Sequence, residues 1–245
     1  MATYRDQGIV LRTYKLGETD RIVHLLTQGR GKVRAVAKGI RRPGSRFGGR
    51  LEPFSHVDLQ LYEGRNLDTI TQAELLASHD RVRTDHATSA AASVMAELTD
   101  HVAQEGERDN GVFLLLRAGL QALDAGPEDP SVFVDAFLLR LAASVGFPVF
   151  TRACAVCREP GDHVFLSVKA GGTLCAACAP TGTRAVDREV VEVVAELAHL
   201  GQWAGLPALG RDHAAARAVA ASYARAYVEH HLDRRLRSYP AVPRP

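Results

Sequence analysis

The sequence predicts an α+β protein, with an N-terminal five-stranded β-barrel followed by a helical domain that carries a four-cysteine module. Three observations lead there. Five short β-rich runs separated by turn residues fill residues 8–73. Helical periodicity takes over from about Thr84. The four cysteines of the 245-residue chain form two Cys-x-x-Cys pairs.

The strands come in order. Gly8-Ile-Val-Leu-Arg-Thr-Tyr14 is the first, and Arg21-Ile-Val-His-Leu-Leu-Thr27 follows a turn around Gly17-Glu18. Gly29-Arg-Gly31 then opens Lys32-Val-Arg-Ala-Val-Ala-Lys38, where Val33, Ala35 and Ala37 share one face and Arg34, Val36 and Lys38 the other. A glycine-rich loop leads to His56–Tyr62, and the turn signal Tyr62-Glu-Gly-Arg-Asn66 joins it to Asp68–Ala73. Five short strands with turns every eight to twelve residues suggest a small closed barrel of the oligonucleotide-binding (OB) type. Such barrels often carry a helix after the third strand; this sequence offers only a loop there.

The helices follow. Ser89 to Gln104 places Val94, Leu98 and Val102 on one face, Gly106 to Gly111 breaks it, and Phe113 to Leu123 resumes. Asp129 is an N-cap with Pro130 at the first helical position, and Gly146-Phe-Pro148 ends that helix after Val145. Asp187 is expected to cap a helix bearing Val190, Val194 and Leu197. A loop with Gly201, Gly205, Pro207 and Gly210 precedes a last helix from about Asp212 to Arg237. The expected division is a barrel domain over residues 1–80, a helical domain over 81–238 with the cysteine module at 152–182, and a disordered tail over 239–245.

Cys154, Cys157, Cys175 and Cys178 suit one tetrahedral zinc, the two knuckles being separated by a segment from Arg158 to Leu174 that runs out and back around Gly171-Gly172. Four thiolates close the coordination sphere and leave no position for water or substrate, so the zinc is expected to be structural. Two disulfides would use the same count, but the opening MATYRDQGIV lacks a charged-then-apolar signal segment, which points to a reducing cytoplasm. His163, between the knuckles, is a conceivable substitute ligand.

Composition excludes little by itself: 46% apolar and 24% charged residues are ordinary for a globular protein, and no apolar run approaches the length of a membrane span. The formal net charge of +2 hides an asymmetry. Residues 1–50 hold twelve Lys and Arg against Asp6, Glu18 and Asp20. Such a basic end points to a polyanion. The segment Lys38-Gly-Ile-Arg-Arg-Pro-Gly-Ser-Arg-Phe-Gly-Gly-Arg50 has five cations, four glycines and no acid. Glycines let backbone approach phosphate, guanidinium groups chelate its oxygens, and Phe47 is placed to stack on a base. Arg21, Lys32, Arg34, Lys38, Arg41, Arg42, Arg46 and Arg50 are the candidate nucleic-acid-binding residues, with phosphate contacts expected to dominate and little sequence preference.

Catalytic patterns are missing. Neither phosphate-cradling glycine motif is present, and no His pair has metalloprotease spacing. Glu18 and Asp20 read as turn residues, Trp203 as a packing anchor, and His230-His231 as the polar end of a helix. The chain reads as a non-enzyme. The competing class, a zinc-dependent enzyme acting on nucleic acid or nucleotides, needs an open coordination position and an H-x-E motif that the sequence lacks.

Together these residues resemble the RecO family of bacterial recombination mediators in DNA repair. The resemblance rests on Gly8-Ile-Val-Leu-Arg12, Gly17-Glu-Thr-Asp-Arg-Ile-Val23 with Leu26-Thr27, Gly31-Lys32, Ala37-Lys-Gly-Ile-Arg41, Leu51-Glu-Pro-Phe54 and the paired knuckles. It implies an OB domain, a helical domain and a zinc module. It also implies binding of single- and double-stranded DNA, annealing of complementary strands, contact with the tail of single-stranded-DNA-binding protein, and help, with RecR, for RecA loading. Lys38 and Arg41 match the family's basic motif, with Arg34 and Arg42 beside it. Arg46 and Arg50 are added on charge alone. No membrane partner is implied, and a cytoplasmic, nucleoid-associated protein is.

Overall fold

Strands β1 (Thr3–Leu16), β2 (Asp20–Thr27), β3 (Gly31–Ala37), β4 (His56–Tyr62) and β5 (Asp68–Ala77) close into a barrel in the order β1-β2-β3-β5-β4. The computed structural model describes residues 2–199 and 203–244. All neighbouring strands run antiparallel except β3 and β5, which meet in parallel at Ala35–Asp68 and Val36–Thr69. This is the OB-type barrel that the strand spacing predicts. β1 serves two neighbours, pairing with β4 through its first half and with β2 through its second, and its register slips between Val10 and Arg12. Alternation decides the interior: Val33, Ala35 and Ala37 are buried with Val10, Val23, Leu25, Leu59, Leu61 and Ile70.

After the barrel come α1 (Asp80–Thr84), α2 (His86–Val102) and α3 (Asn110–Asp124). Asp85 and Asp109 cap α2 and α3 by accepting from the backbone N–H groups of Thr88 and Val112. By contacts the chain divides into two compact units between Ala125 and Gly126, and these helices pack in the unit that holds the barrel. One cause is visible at Gly31. Its φ is +67° and a Cβ there would lie 1.9 Å from the carbonyl oxygen of Glu107, so only glycine lets the start of β3 run against the segment after α2.

The second unit is built on α4 (Pro130–Ser144), which packs against α5 (Arg188–Ala198), α6 (Leu206–Asp212) and α7 (Ala214–His231). Every residue of α4 from Pro130 to Ala142 is buried, the mark of a central helix. Its burial includes two charges that need partners. Asp135 is paired with Arg217 and Arg244 and accepts a hydrogen bond from Tyr239, while Arg140 donates to the carbonyl of Leu197 and stacks on Trp203. That demand orders the chain end. Tyr239–Ala241 form a 3-10 turn, Tyr239 and Val242 are buried, and Arg244 is held by Asp135, in place of the expected disordered tail. Gly201 of the expected loop, and Pro245, lie outside the described residues. The last helix ends at His231 rather than Arg237, where Leu232 and the positive φ of Asp233 stop it. Among the described residues, no helix is long and apolar enough to cross a membrane.

Candidate nucleic-acid interface and metal centre

The loop after β3 is stitched to the β1–β2 turn. Asp20 Oδ1 accepts from the backbone N–H of Gly39 at 2.7 Å and from the Thr19 hydroxyl at 2.9 Å, and the Arg41 N–H donates to Thr19 O at 2.9 Å. The Arg41 guanidinium donates to the carbonyl of Glu18 at 2.9 Å. The backbone N–H of Gly39, then the Thr19 hydroxyl, hold the Asp20 carboxyl below the usual carboxylate range, with Arg42 and Lys38 adding to the effect. Two sequence segments, Gly17–Asp20 and Lys38–Arg41, are therefore one structural piece.

The rest of the loop is pinned from below. Phe47 and Leu51 are buried plugs in the barrel core, and Phe54 sits in the left-handed region at φ +71° with its N–H donating to Val10 O. Phe47 is thus not available to stack on a base, contrary to the sequence expectation. The apolar interior of the barrel takes the aromatic ring and leaves the flanking cations outside. Lys38, Arg41, Arg42, Arg46 and Arg50 are all exposed. Arg46 lies over the Phe47 ring and Arg50 donates to Arg46 O, whereas Lys38, Arg42 and Arg46 have no ion pair with a carboxylate among the described residues.

The other three candidates are engaged within the protein. Arg21 pairs with Glu52 at 3.1 Å and Arg34 with Glu105 at 2.6 Å. Lys32 donates to the carbonyl of Asp100 at 2.7 Å and lies 3.7 Å from its carboxylate. Asp100 also holds Arg12 at 2.5 Å, with His24 3.6 Å away. Sequence charge counting marks these cations but not the acids brought to them, Glu52 by the loop before β4 and Asp100 and Glu105 by α2 and its following turn. It also passes over Tyr14, which stands exposed on β1 beside His24.

The cysteines converge as the spacing predicts. All four sulfur atoms lie within 4.8 Å of one another, and Cys157 and Cys175 are 3.7 Å apart. A tetrahedral ion with metal–sulfur bonds of about 2.3 Å needs sulfur–sulfur edges of about 3.8 Å. β6 (Phe165–Ser167) and β7 (Gly172–Leu174) form the hairpin between the knuckles and deliver Cys175 at its end. At Gly172 a Cβ would lie 2.1 Å from the Phe150 carbonyl oxygen, so the hairpin can close against Phe150 only with glycine there. Burial pushes the Cys154 thiol up, but backbone N–H groups of Cys175, Cys157 and Val156 aimed at its sulfur bring it down to about 6. The Cys178 thiol is pushed up to about 12 by hydrogen bonding with Cys175 and Cys157. Four sulfurs this close cannot all ionise without a cation among them, so the donor set fits a divalent, thiophilic metal. His163 is not among these ligands; its Nε2 lies 2.9 Å from the Glu159 carbonyl oxygen. α7 anchors the module: Tyr227 donates to the carbonyls of Phe147 and Pro148, and His231 Nε2 lies 2.8 Å from Val168 O. His231 is thus partly packed rather than merely a polar helix end.

With this geometry in place, comparison with known proteins is informative. Residues 1–79 match the family model described as recombination protein O N terminal, and residues 83–240 match the one described as recombination protein O C terminal. Curated relatives named DNA repair protein RecO align over the full chain. The protein of Frankia casuarinae is 44% identical over 247 residues, covering all of both chains. That of a Nocardioides species is 47% identical over 248 residues, covering 98% of this chain and 99% of its own. That of Thermobifida fusca is 42% identical over 248 residues, covering all of both.

Proposed function

The chain belongs to the RecO family of DNA repair proteins, and on that premise we propose that it is a non-enzymatic DNA-binding and annealing mediator of recombinational repair. It binds single- and double-stranded DNA with little sequence preference and brings complementary strands together. With RecR it helps RecA load on DNA covered by single-stranded-DNA-binding protein, whose acidic, apolar tail is received by the helical unit. The metal held by Cys154, Cys157, Cys175 and Cys178 is one structural zinc, because four thiolates leave no open position. The protein works in the cytoplasm, on the nucleoid.

The observation that carries this reading is the cationic loop of an OB-type barrel, fixed at its base and unneutralised at its rim. Lys38, Arg42 and Arg46 project without a close ion pair to a carboxylate among the described residues, and Arg41 and Arg50 flank them. These are the primary phosphate contacts. Arg21, Lys32 and Arg34 join where a phosphate replaces Glu52, Asp100 or Glu105. Binding led by phosphate is blind to sequence and sensitive to salt, as annealing of arbitrary strands requires.

The test is annealing of complementary strands coated with single-stranded-DNA-binding protein, in the absence of ATP. Wild-type protein should accelerate it and the double variant Arg42→Glu, Arg46→Glu should not, with folding retained. Inactivity of the wild-type protein overturns the mediator reading. Full activity of the double variant removes the loop from it.

A further inference from the structure

We propose that Cys157 is a peroxide-modification site whose oxidation to a disulfide with Cys175 unloads the metal centre, a proposal that rests on the metal reading above. Exposure singles Cys157 out. Cys154 is buried and Cys175 and Cys178 are half-buried, whereas Cys157 is exposed, next to Val156 at 60% exposure. Backbone N–H groups of Cys175, Cys157 and Val156 aim at the Cys154 sulfur and hold it inside. A metal-bound cysteine is a thiolate, and a thiolate open to solvent is the form that peroxide attacks.

A partner for the second step stands within reach. The Cys157 and Cys175 sulfurs come from different knuckles and are 3.7 Å apart. A disulfide needs about 2.05 Å. Cys157 sits on a surface turn outside regular structure, so the gap closes by movement of that turn with Cys154 left in place. Pairing within the first knuckle would instead draw Cys154 out of its buried seat.

The chemistry balances with peroxide as the oxidant. The Cys157 thiolate attacks one peroxide oxygen, the O–O bond breaks, hydroxide leaves and Cys157 becomes a sulfenic acid. The Cys175 thiolate then attacks that sulfur, the S–O bond breaks, a second hydroxide leaves and the disulfide forms. The sulfurs lose the two electrons that the peroxide gains, and two protons turn the hydroxides into water. Cys154 and Cys178 are then the remaining ligands, half of what a closed tetrahedral site requires. With a buried core of Cys154, Ala155 and Leu174, the module has little else to keep it shut. Its far end stays on α7, where Tyr223 donates to Ser167 O and His231 lies against Val168 O. Opening is therefore confined to the knuckles, and a dithiol reductant with fresh metal reverses it.

The full chain loaded with zinc is treated with hydrogen peroxide, following metal release to a chromogenic chelator and mapping the disulfide by mass spectrometry. Wild-type protein should release its zinc, yield a linked Cys157–Cys175 peptide and reload after reduction. Cys157→His keeps a fourth ligand but no exposed thiolate, and should release zinc about tenfold more slowly. Cys178→His, with Cys157 intact, should release it as fast as wild type. Equal release from wild type and Cys157→His, equal slowing in both variants, or a Cys154–Cys157 disulfide overturns the proposal. The wild-type peptide map decides independently of whether either variant holds metal. Zinc retained under peroxide overturns the switch and leaves the metal reading intact. A chain that takes up no zinc beforehand overturns that reading itself.

Discussion

The cationic loop and the cysteine module are both short, glycine-bearing segments set between regular elements, yet they are stabilised by opposite means. The loop borrows core from its host: Phe47 and Leu51 enter the barrel interior, and Asp20 ties Gly39 to the neighbouring turn. The module has little core to borrow. Its buried members are Cys154, Ala155 and Leu174, with Phe150 and Phe165 packed against them, and four sulfurs at its centre. A segment pinned by apolar side chains can keep its charges free at the surface. One pinned by a metal spends its polar groups on the ion, which is why we place recognition on the first and structure on the second.

Stripping the metal should have the largest effect and should be confined to one side of this comparison. A strong chelator, or Cys154→Ser, should abolish the protease resistance of residues 150–180 and release one zinc per chain, while DNA affinity changes little. A module that stays resistant when stripped would mean that packing, not the ion, holds it. Next comes the loop's anchor. Phe47→Ala should lower the stability of the barrel unit by about 3–4 kcal/mol in urea unfolding, as for other buried phenylalanines, and should weaken DNA binding by freeing the loop. Retained affinity would show that the cations need no fixed scaffold.

Charge reversal is expected to leave the fold alone. Arg42→Glu with Arg46→Glu should weaken single-strand binding at least tenfold and reduce the dependence of log affinity on log salt by about two, measured by anisotropy across a salt series. The smallest effect is on pH. Burial, then Arg117 and His79, lowers His56 to about 4, from an ordinary value near 6.5. The unfolded chain takes up that proton first as pH falls, so the barrel unit should lose stability between about pH 6.5 and 4 and recover it above. Replacing His56 with Gln should flatten that slope, and an unchanged slope would assign it to other groups.

Much of this was legible in the sequence, for reasons that differ by element. The strand alternation of residues 33–37 and the cap at Asp129 are local, and the structure shows both; Asp187 stands at the N-cap position of α5 but makes no side-chain capping hydrogen bond there. The cysteine cluster was legible because two knuckles of one spacing have few other uses. What was hidden depends on distant partners. Nothing local marks Glu52, Asp100 or Glu105 as the acids that would engage Arg21, Lys32 and Arg34, or Asp135 as the charge that orders Tyr239 and Arg244. Phe47 was misread because a hydrophobe in a glycine-rich basic loop looks exposed until the barrel beneath it is known.

The parallel junction of β3 with β5 spans two residue pairs, far fewer than the ladders elsewhere in the ring. A closed ring parts first along its shortest ladder. Parting there would leave β1–β3 on one side of a slit and the β4–β5 hairpin on the other, hinged where β1 meets β4. The chain between Ala37 and His56, which carries the loop's cations, is the covalent strap across that slit. A polyanion bridging the strap would therefore also act as a clasp, and amide exchange at Val36 and Thr69 should slow when it binds.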